Sequence, residues 1–361
     1  VSVFENADFD DHEQIIFCRD SSAGLSAIIA IHSTRLGPAA GGCRMYPYPT
    51  TEDALTDVLR LSRGMSYKNA LAGLKLGGGK AVIIADPRGG RKQPLLTAFA
   101  KQLETLNGRY WTAIDVGVGV EDVALMSRDT RFVFCIVDER SGRRNPAVFT
   151  ALGGFVAIEA VHAYLSGTMK FGGAEPESTN APASSLQGAR VAIQGLGQTG
   201  MDLCRRLTEA GARIIATDVN EQSIAEARAR YNAEIVVPDA IYSQSVDIFA
   251  PCAMGAILND KTIPRLKAKA VCGIANNQLA EPRHGQALKE RGILYAPDYV
   301  VNAGGVIYGS DDIFKTHETS TAEAKIRGIG RVLCEIFDAA AAENSPASEI
   351  ADDIARQRMT T

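Results

Sequence analysis

The chain holds 361 residues, with 38 lysines and arginines against 42 aspartates and glutamates and a formal net charge of −4. This near balance excludes a basic face large enough for nucleic acid or an anionic membrane, so the ligand indicated is a small molecule. The length suits two domains of ordinary size, with interior enough to shield a reaction from water.

The N-terminal "VSVFENADFDDHEQ" is acidic where a secretory leader is basic and then apolar. No apolar stretch is expected to reach the roughly eighteen residues that span a bilayer. The seven cysteines (18, 43, 135, 204, 252, 272 and 334) are scattered and form no CxxC. That pattern predicts small core residues in a reducing compartment, and hence a cytoplasmic protein. The histidines are equally dispersed and HExxH is absent, so no metal site is expected. No Ser-His-Asp order stands out.

From residue 15 to 134 the short apolar runs "QIIFC", "LSAIIAIHS", "KAVIIADP", "YWTAIDVG" and "RFVFCIV" alternate with helical segments, the mark of an α/β half. In "TTEDALTDVLRLSRGM", Thr51 is the expected N-cap and Leu55, Val58, Leu59, Ser62 and Met65 share a face, leaving Asp57, Arg60 and Arg63 to solvent. The tract "KFGGAEPESTNAPASS" (170–185) has no periodicity and reads as a linker. From Arg190 the runs "RVAIQG", "RIIATDV", "EIVV", "VDIFAPC", "AVCGIAN" and "GILYAPDYVV" predict a parallel sheet covered on both faces. "TAEAKIRGIGRVLCEIFDAAAAEN" then predicts one long helix, with Ile326, Ile329, Val332, Leu333, Ile336 and Phe337 on one side.

Within the second half, Gly195-x-Gly197-x-x-Gly200 follows a strand and opens a helix, and Asp218 ends the next strand. This is the arrangement of a dinucleotide site, in which glycines let the backbone approach a pyrophosphate at the positive helix end. Gln198 and Thr199 begin that helix and Val219 follows the acid, so all are candidate coenzyme contacts. The carboxylate of Asp218 would accept from ribose hydroxyls and repel a 2′-phosphate, which favours NAD over NADP. Ligands of such sheets gather beyond the carboxyl ends of the strands. That rule selects Cys252 and Ala253 in "FAPCAMG", Asn276 in "GIANN" and Asn302 in "APDYVVNAGG" as lining of a nicotinamide crevice.

"AGLKLGGGKAVIIADP" poses a sharper question, because Lys80 is fastened to a run that reads as a buried strand. Two readings stand: a lysine snorkelling from a strand edge, or an ammonium in a dry cleft whose pKa falls until it serves as a base. On the second, Gly77, Gly78 and Gly79 leave room for substrate against backbone. Lys68 in "GMSYKNALAG" and Asp115 in "TAIDVG" supply a second cation and a carboxylate in the same half, a set suited to oxidative deamination of an amino acid.

At these residues the sequence resembles the glutamate/leucine/phenylalanine/valine dehydrogenase family, through "HSTRLGPAAGGCRMYP", "GMSYKNALAGLKLGGGKAVIIADP", "TAIDVG", "NPAVFTALGG", "QGLGQTG", "FAPCAMG", "GIANNQL" and "LYAPDYVVNAGGVI". It is nearer the leucine, valine and phenylalanine branch than the glutamate enzymes. The resemblance implies that Lys68 binds the α-carboxylate, assisted by Asn276 and by backbone near Gly41 and Gly42. It implies that Lys80 activates water and stabilises the carbinolamine, with Asp115 as proton-transfer partner, and that Thr150 holds the nicotinamide carboxamide. It further implies an α/β substrate and oligomerisation domain over residues 1–145, to which about 325–361 returns, and a Rossmann-type doubly wound NAD-binding domain over 146–324. A cleft between them, closure during turnover and homo-oligomers belong to the same expectation.

The side-chain pocket departs from the leucine pattern. Ala40 stands where leucine enzymes of the family typically carry Leu, and Gly309 where they carry Val, while Ala113 and Val306 look leucine-like. The lost bulk should enlarge the pocket and bring phenylalanine within range. The motif around Lys80 still sets leucine or another branched-chain substrate slightly ahead. No cation at Ala40 or Gly309 awaits an acidic side chain. The competing readings are an NAD-binding sensor without turnover and a hydroxy-acid or methylene-carrier dehydrogenase of similar architecture.

Overall fold

The computed structural model describes residues 3–137, 143–168, 186–316 and 319–360, so the tract 170–185 lies outside the described residues. The chain divides into two compact units. One is Val1–Pro146 with Val306–Thr319 and Ala355–Thr361, and the other is Ala147–Gly305 with Ser320–Ile354.

In the first unit, β1 (Gln14–Asp20), β2 (Leu25–Ser33), β3 (Ala39–Ala40) and β4 (Cys43–Tyr46) precede helix α1 (Thr51–Leu71). Strand β5 (Gly77–Ile84), α2 (Lys92–Thr105), β6 (Tyr110–Trp111) and α3 (Val120–Met126) follow. The sheet runs in the order β1-β2-β5-β3-β6, with β4 also pairing β5. Strand β5 reads as a continuous apolar run because both of its faces are buried. Ala81 and Ile83 pack with Leu96, Phe99 and Leu103 of α2, while Val82 packs with Ala54, Val58 and Leu59 of α1. The N-cap of α1 is Thr50 rather than Thr51, and a capping box with Asp53 closes its first turn. The helix continues through "SYKNAL", beyond the segment whose periodicity announced it. "RFVFCIV" contributes only the isolated bridge Thr112–Val133, since Cys135, at φ +60°, turns the chain out of an extended path.

Beneath α1 two buried histidines stack edge to face, with ring centroids 4.8 Å apart. Nε2 of His12 lies 2.9 Å from Ser62 Oγ and 3.1 Å from Leu59 O, and Nδ1 of His32 lies 2.7 Å from Ser66 Oγ. Burial first, and the neighbouring His32 second, push His12 down from 6.5 to about 4. His32 is lowered as well, chiefly by burial, with Asp10 opposing and Arg63 assisting. The unfolded chain therefore binds more protons than the folded one between pH 6.5 and about 4. Their contribution is complete above pH 6.5 and declines as the pH falls, by about 2 kcal/mol for His12. Urea midpoints measured at descending pH should fall across this window, and His12→Gln should flatten the dependence.

The second unit contains α4 (Pro146–Leu165), β7 (Arg190–Gln194), α5 (Gln198–Glu209), β8 (Arg213–Thr217), α6 (Glu221–Tyr231), β9 (Glu234–Ile235) and β10 (Ile248–Pro251). After these come β11 (Ala270–Val271), α7 (Arg283–Glu290), β12 (Leu294–Tyr295) and α8 (Asp298–Val301). All six strands are parallel, in the order β12-β11-β10-β7-β8-β9. This is the doubly wound order whose direction of winding reverses between β7 and β10. Helix α4 corrects the expectation about apolar stretches. By length and composition it could cross a membrane, but 61% of its most apolar window is buried inside the structure, which is how a core helix behaves.

The tail is α9 (Gly304–Phe314), α10 (Thr319–Arg327), α11 (Ile329–Glu343) and α12 (Ala347–Thr360), so the expected single long helix is interrupted at Gly328. The apolar side of α11 finds its complement in α4. Phe337 lies 5.0 Å from the Tyr164 ring, and Cβ atoms built at Gly330 and Gly153 would touch Ala160 Cβ and Ile329 Cδ1. Residues 320–354 consequently belong to the second unit. The parts that join the first are 306–319 and 355–361, where Arg358 Nη1 donates to Leu71 O at 3.1 Å.

Candidate active site

Alternation along β5 decides where Lys80 faces. Ala81 and Ile83 enter the core beneath α2, so Lys80 lies with Val82 on the side of α1. It is 5% exposed, and its Nζ donates to Asp115 Oδ2. Asp115 begins a tight turn in which the Val118 amide donates to Asp115 O at 2.9 Å, with Gly117 at φ +77°. A Cβ on Gly117 would lie 2.1 Å from Met45 O, so only glycine lets this turn close against β4.

Asp115 also accepts from Arg44 Nε at 3.0 Å and from the Val116 amide at 2.7 Å. Burial alone would raise its pKa; Lys80, then Arg44, outweigh that and hold the carboxyl well below the usual carboxylate range. The lysine is thus buried as a paired charge, with the partner and its hydrogen bonds offsetting the desolvation that an isolated ammonium would suffer. The network continues outward: Arg44 Nη1 donates to Asp57 Oδ2 at 2.9 Å, and the Tyr48 hydroxyl donates to the same oxygen. Asp57 is therefore engaged with Arg44 and Tyr48 instead of lying free on the solvated face of α1. Arg44 was not singled out in the sequence. Its only signal was a charge inside the apolar "GGCRMY".

The three glycines before Lys80 do not make room for substrate. A Cβ on Gly77 would lie 2.0 Å from Ser33 O, on Gly78 2.1 Å from Ser66 N, and on Gly79 2.7 Å from the Tyr110 ring. The space is filled by the protein itself, with α1 resting directly on the β5 backbone. Gly41 and Gly42 serve the same close packing, since their Cβ atoms would fall 2.0 Å from Gly79 O and 2.3 Å from Ile114 O. Gly42 also abuts Asp115, whose Cβ would be 2.9 Å from that added atom. Lys68 lies in the last turn of α1, between Ser66 and Asn69. Asn69 Nδ2 donates to Gly77 O at 2.6 Å. The structure thus brings Gly41, Gly42, Lys80, Asp115 and the α1 turn bearing Lys68 into one neighbourhood.

Ala40 is fully buried beside Gly78 and Trp111, and the Ala113 carbonyl accepts from the Cys43 amide at 3.0 Å. Val306 and Gly309 lie on α9 in this same unit. The enlargement expected at Gly309 is not found. A Cβ there would meet Cys135 Sγ at 2.3 Å and Phe134 Cδ2 at 3.0 Å, so other side chains already fill the volume.

In the second unit the glycine turn follows β7. Gly195 adopts φ +103°, and a Cβ on it would lie 2.6 Å from Ala253 Cβ. Gly200 packs so closely that its Cβ would be 2.1 Å from Gly195 O and 3.3 Å from Cys252 Cβ. Gly197, the N-cap of α5, would meet nothing within 4 Å, so the helix N-terminus there is open to a ligand; Gln198 is exposed and Thr199 partly so. Asp218 accepts from the Leu196 and Asn220 amides, tying the turn to the end of β8, while Val219 is 90% exposed. Asn302 Nδ2 donates to Asn276 Oδ1 at 2.8 Å, and a Cβ on Gly304 would lie 3.2 Å from Thr150 N. All the coenzyme candidates therefore gather at the carboxyl ends of β7, β8, β10 and β11 or on the segments beside them. Open backbone at a helix N-terminus, with a carboxylate one strand away, fits a dinucleotide. Elsewhere in this unit Asp260, Glu281 and His284 bring ligand atoms within 4.8 Å of one another, but the Arg283 guanidinium already bonds both carboxylates.

Fold and site define a two-domain α/β protein with a Rossmann-type nucleotide domain. A family model described as "Glu/Leu/Phe/Val dehydrogenase, dimerisation domain" matches residues 12–132, and one described as "Glutamate/Leucine/Phenylalanine/Valine dehydrogenase" matches residues 217–324. The chain is 45% identical over 361 residues to the leucine dehydrogenase of Geobacillus stearothermophilus, covering 100% of this chain and 94% of that one. It is 45% identical over 336 residues to the phenylalanine dehydrogenase of Lysinibacillus sphaericus, covering 92% and 84%. Among solved structures, L-tryptophan dehydrogenase from Nostoc punctiforme superposes with a TM-score of 0.80 at 39% identity, over 97% of this chain and 96% of that one. The chain belongs to the glutamate/leucine/phenylalanine/valine dehydrogenase family, as an amino acid dehydrogenase of the leucine/phenylalanine/valine type.

Proposed function

We propose that the protein catalyses NAD-dependent, reversible oxidative deamination of an apolar L-amino acid to the 2-oxo acid and ammonia, with leucine or another branched-chain acid preferred and phenylalanine as the alternative. The observation that carries the reading is the buried Lys80–Asp115 pair, set beside the Gly41–Gly42 backbone and the α1 turn that bears Lys68. A buried ion pair adds little to stability over apolar packing, so its presence here calls for a chemical role.

Lys68 neutralises the substrate α-carboxylate, and the Gly41–Gly42 backbone orients it. Bound NAD supplies the hydride acceptor. The Gly195–Gly200 turn holds the pyrophosphate, Asp218 and Val219 meet the adenosine ribose, and Cys252, Ala253, Asn302 and Thr150 orient the nicotinamide end. Lys80 activates the water that attacks the imine carbon. Its ammonium then stabilises the carbinolamine oxygen, while Asp115 takes up and returns the proton. Arg44 Nε and the Val116 amide both donate to Asp115 Oδ1, which leaves Oδ2 turned to Lys80 for the exchange of the proton. No basic residue stands at Ala40, Ala113, Val306 or Gly309 to pair an acidic side chain, which favours apolar substrates.

The seven cysteines, none in a disulfide, suit the cytoplasm. The seven-residue strand β1 pairs only β2 among the described residues and exposes Phe17 at 56%, so this edge is the proposed contact between identical subunits. The test is reduction of NAD or NADP with leucine, valine, norleucine and phenylalanine. NAD should be favoured at least about tenfold, because Asp218 opposes a 2′-phosphate. Tight NAD binding with no turnover of any of these acids would support the sensor reading instead, and equal rates with NADP would remove the role of Asp218.

A further inference from the structure

The wall at Gly309 is made by another residue, and its geometry is unusual. Cys135 is 5% exposed and adopts φ +60°, a region that a side chain enters only when its surroundings over-determine it. Its Sγ lies 2.3 Å from where a Cβ on Gly309 would be, and the Phe134 ring lies 3.0 Å from the same point. A side chain at 309 and one at 135 therefore exclude each other. Bulk can be supplied from α9 or from the segment after Phe134, but not from both. The contact is held in place nearby, where the Ile136 amide donates to Asp312 Oδ2 at 3.1 Å, three residues along α9 from Gly309.

We infer that Cys135 is a specificity-determining residue, its Sγ closing the side-chain pocket at Gly309 and so excluding aromatic substrates. This rests on the proposed function, in which Val306 and Gly309 face the substrate side chain. The pocket is then deepened by Ala40 alone, while the side next to α9 keeps its bulk through a sulfur atom reached from the opposite wall. A residue at φ +60° that removes conformational freedom, where glycine would be relaxed, is placed for its side chain.

The test compares kcat/KM for leucine and phenylalanine in the wild type, Cys135→Gly and Cys135→Ala. Cys135→Gly relieves the backbone, so the fold should tolerate it; Cys135→Ala removes Sγ while keeping the backbone constraint. Each is expected to raise the phenylalanine to leucine ratio by about tenfold or more, as the loss of one heavy atom in Cys135→Ala, or of two in Cys135→Gly, from an apolar pocket allows. Gly309→Val added to Cys135→Gly should return the ratio towards the wild-type value, whereas Gly309→Val alone should clash with Sγ and lower the thermal midpoint. A wild type active on leucine whose ratio is unchanged in both Cys135 variants overturns the inference and leaves the function standing. A wild type inactive on every apolar acid removes both.

Discussion

Lys80→Ala is expected to lower kcat for deamination by about a thousandfold, with NAD affinity unchanged within about twofold. The first figure is what loss of a positioned acid–base group costs. The second follows from the fold, because Lys80 belongs to β5 in one compact unit and the Gly195–Gly200 turn to the other. The substitution also leaves Asp115 buried without its ammonium, which would be severe were Lys80 its sole partner. Arg44 Nε and the Val116 amide remain, so the expected loss of stability is moderate, about 2 kcal/mol. Steady-state rates, NADH fluorescence titration and a urea curve on one preparation separate these effects. A variant that keeps more than about a tenth of the wild-type kcat would end the assignment of Lys80 as the reacting base. Asp115→Asn is the companion, because it preserves shape while removing the charge that faces both Lys80 and Arg44. It should depress kcat and move its pH profile, and Lys80 should then be paired only by a neutral amide.

What the sequence disclosed, and what it did not, divides by range along the chain. The glycine fingerprint with Asp218 was legible because strand, turn, helix and next strand are contiguous, and the same periodicity announces the parallel sheet around β7. Lys80 stood out because a charge interrupts an apolar run. The reasons for the neighbouring glycines were not legible, because Ser33, Ser66 and Tyr110, the groups that meet them, arrive from three other elements. Cys135 and Gly309 likewise exchange volume across the chain, and neither carries a local mark of the other. The role of Asp57 was hidden by helical periodicity, which set it among solvated charges while Arg44 reached it from β4. The tail stayed open for the opposite reason: its apolar face was plain and could cap the second domain or cross back onto the first, because amphipathicity names a buried face without naming the partner. Phe337 and Ile329 found α4 in the second unit.

Gly78→Ala, a single methyl group, is expected to destabilise the protein by about 3 kcal/mol or more and to reduce activity with it. Its Cβ would lie 2.1 Å from Ser66 N, 2.2 Å from Ser66 Oγ and 2.5 Å from Ser66 Cα, and two of these are backbone atoms that no rotamer change can withdraw. Relief requires α1 to lift from β5. That helix is fixed by the Asn69–Gly77 hydrogen bond, by Val58 and Leu59 in the core, and by its capped first turn. Lifting it would displace Lys68 and loosen the floor beneath Lys80 together, so KM for the amino acid should rise along with the fall in stability. Gly64→Ala supplies the control on the same helix. A Cβ there meets nothing within 4 Å, so the exchange should stabilise α1 by about 0.5–1 kcal/mol through helix propensity alone. Urea midpoints moving in opposite directions for the two alanines would establish that α1 rests on bare backbone at Gly78. If both moved the same way, the close contact that seats Lys68 above β5 would not exist in solution.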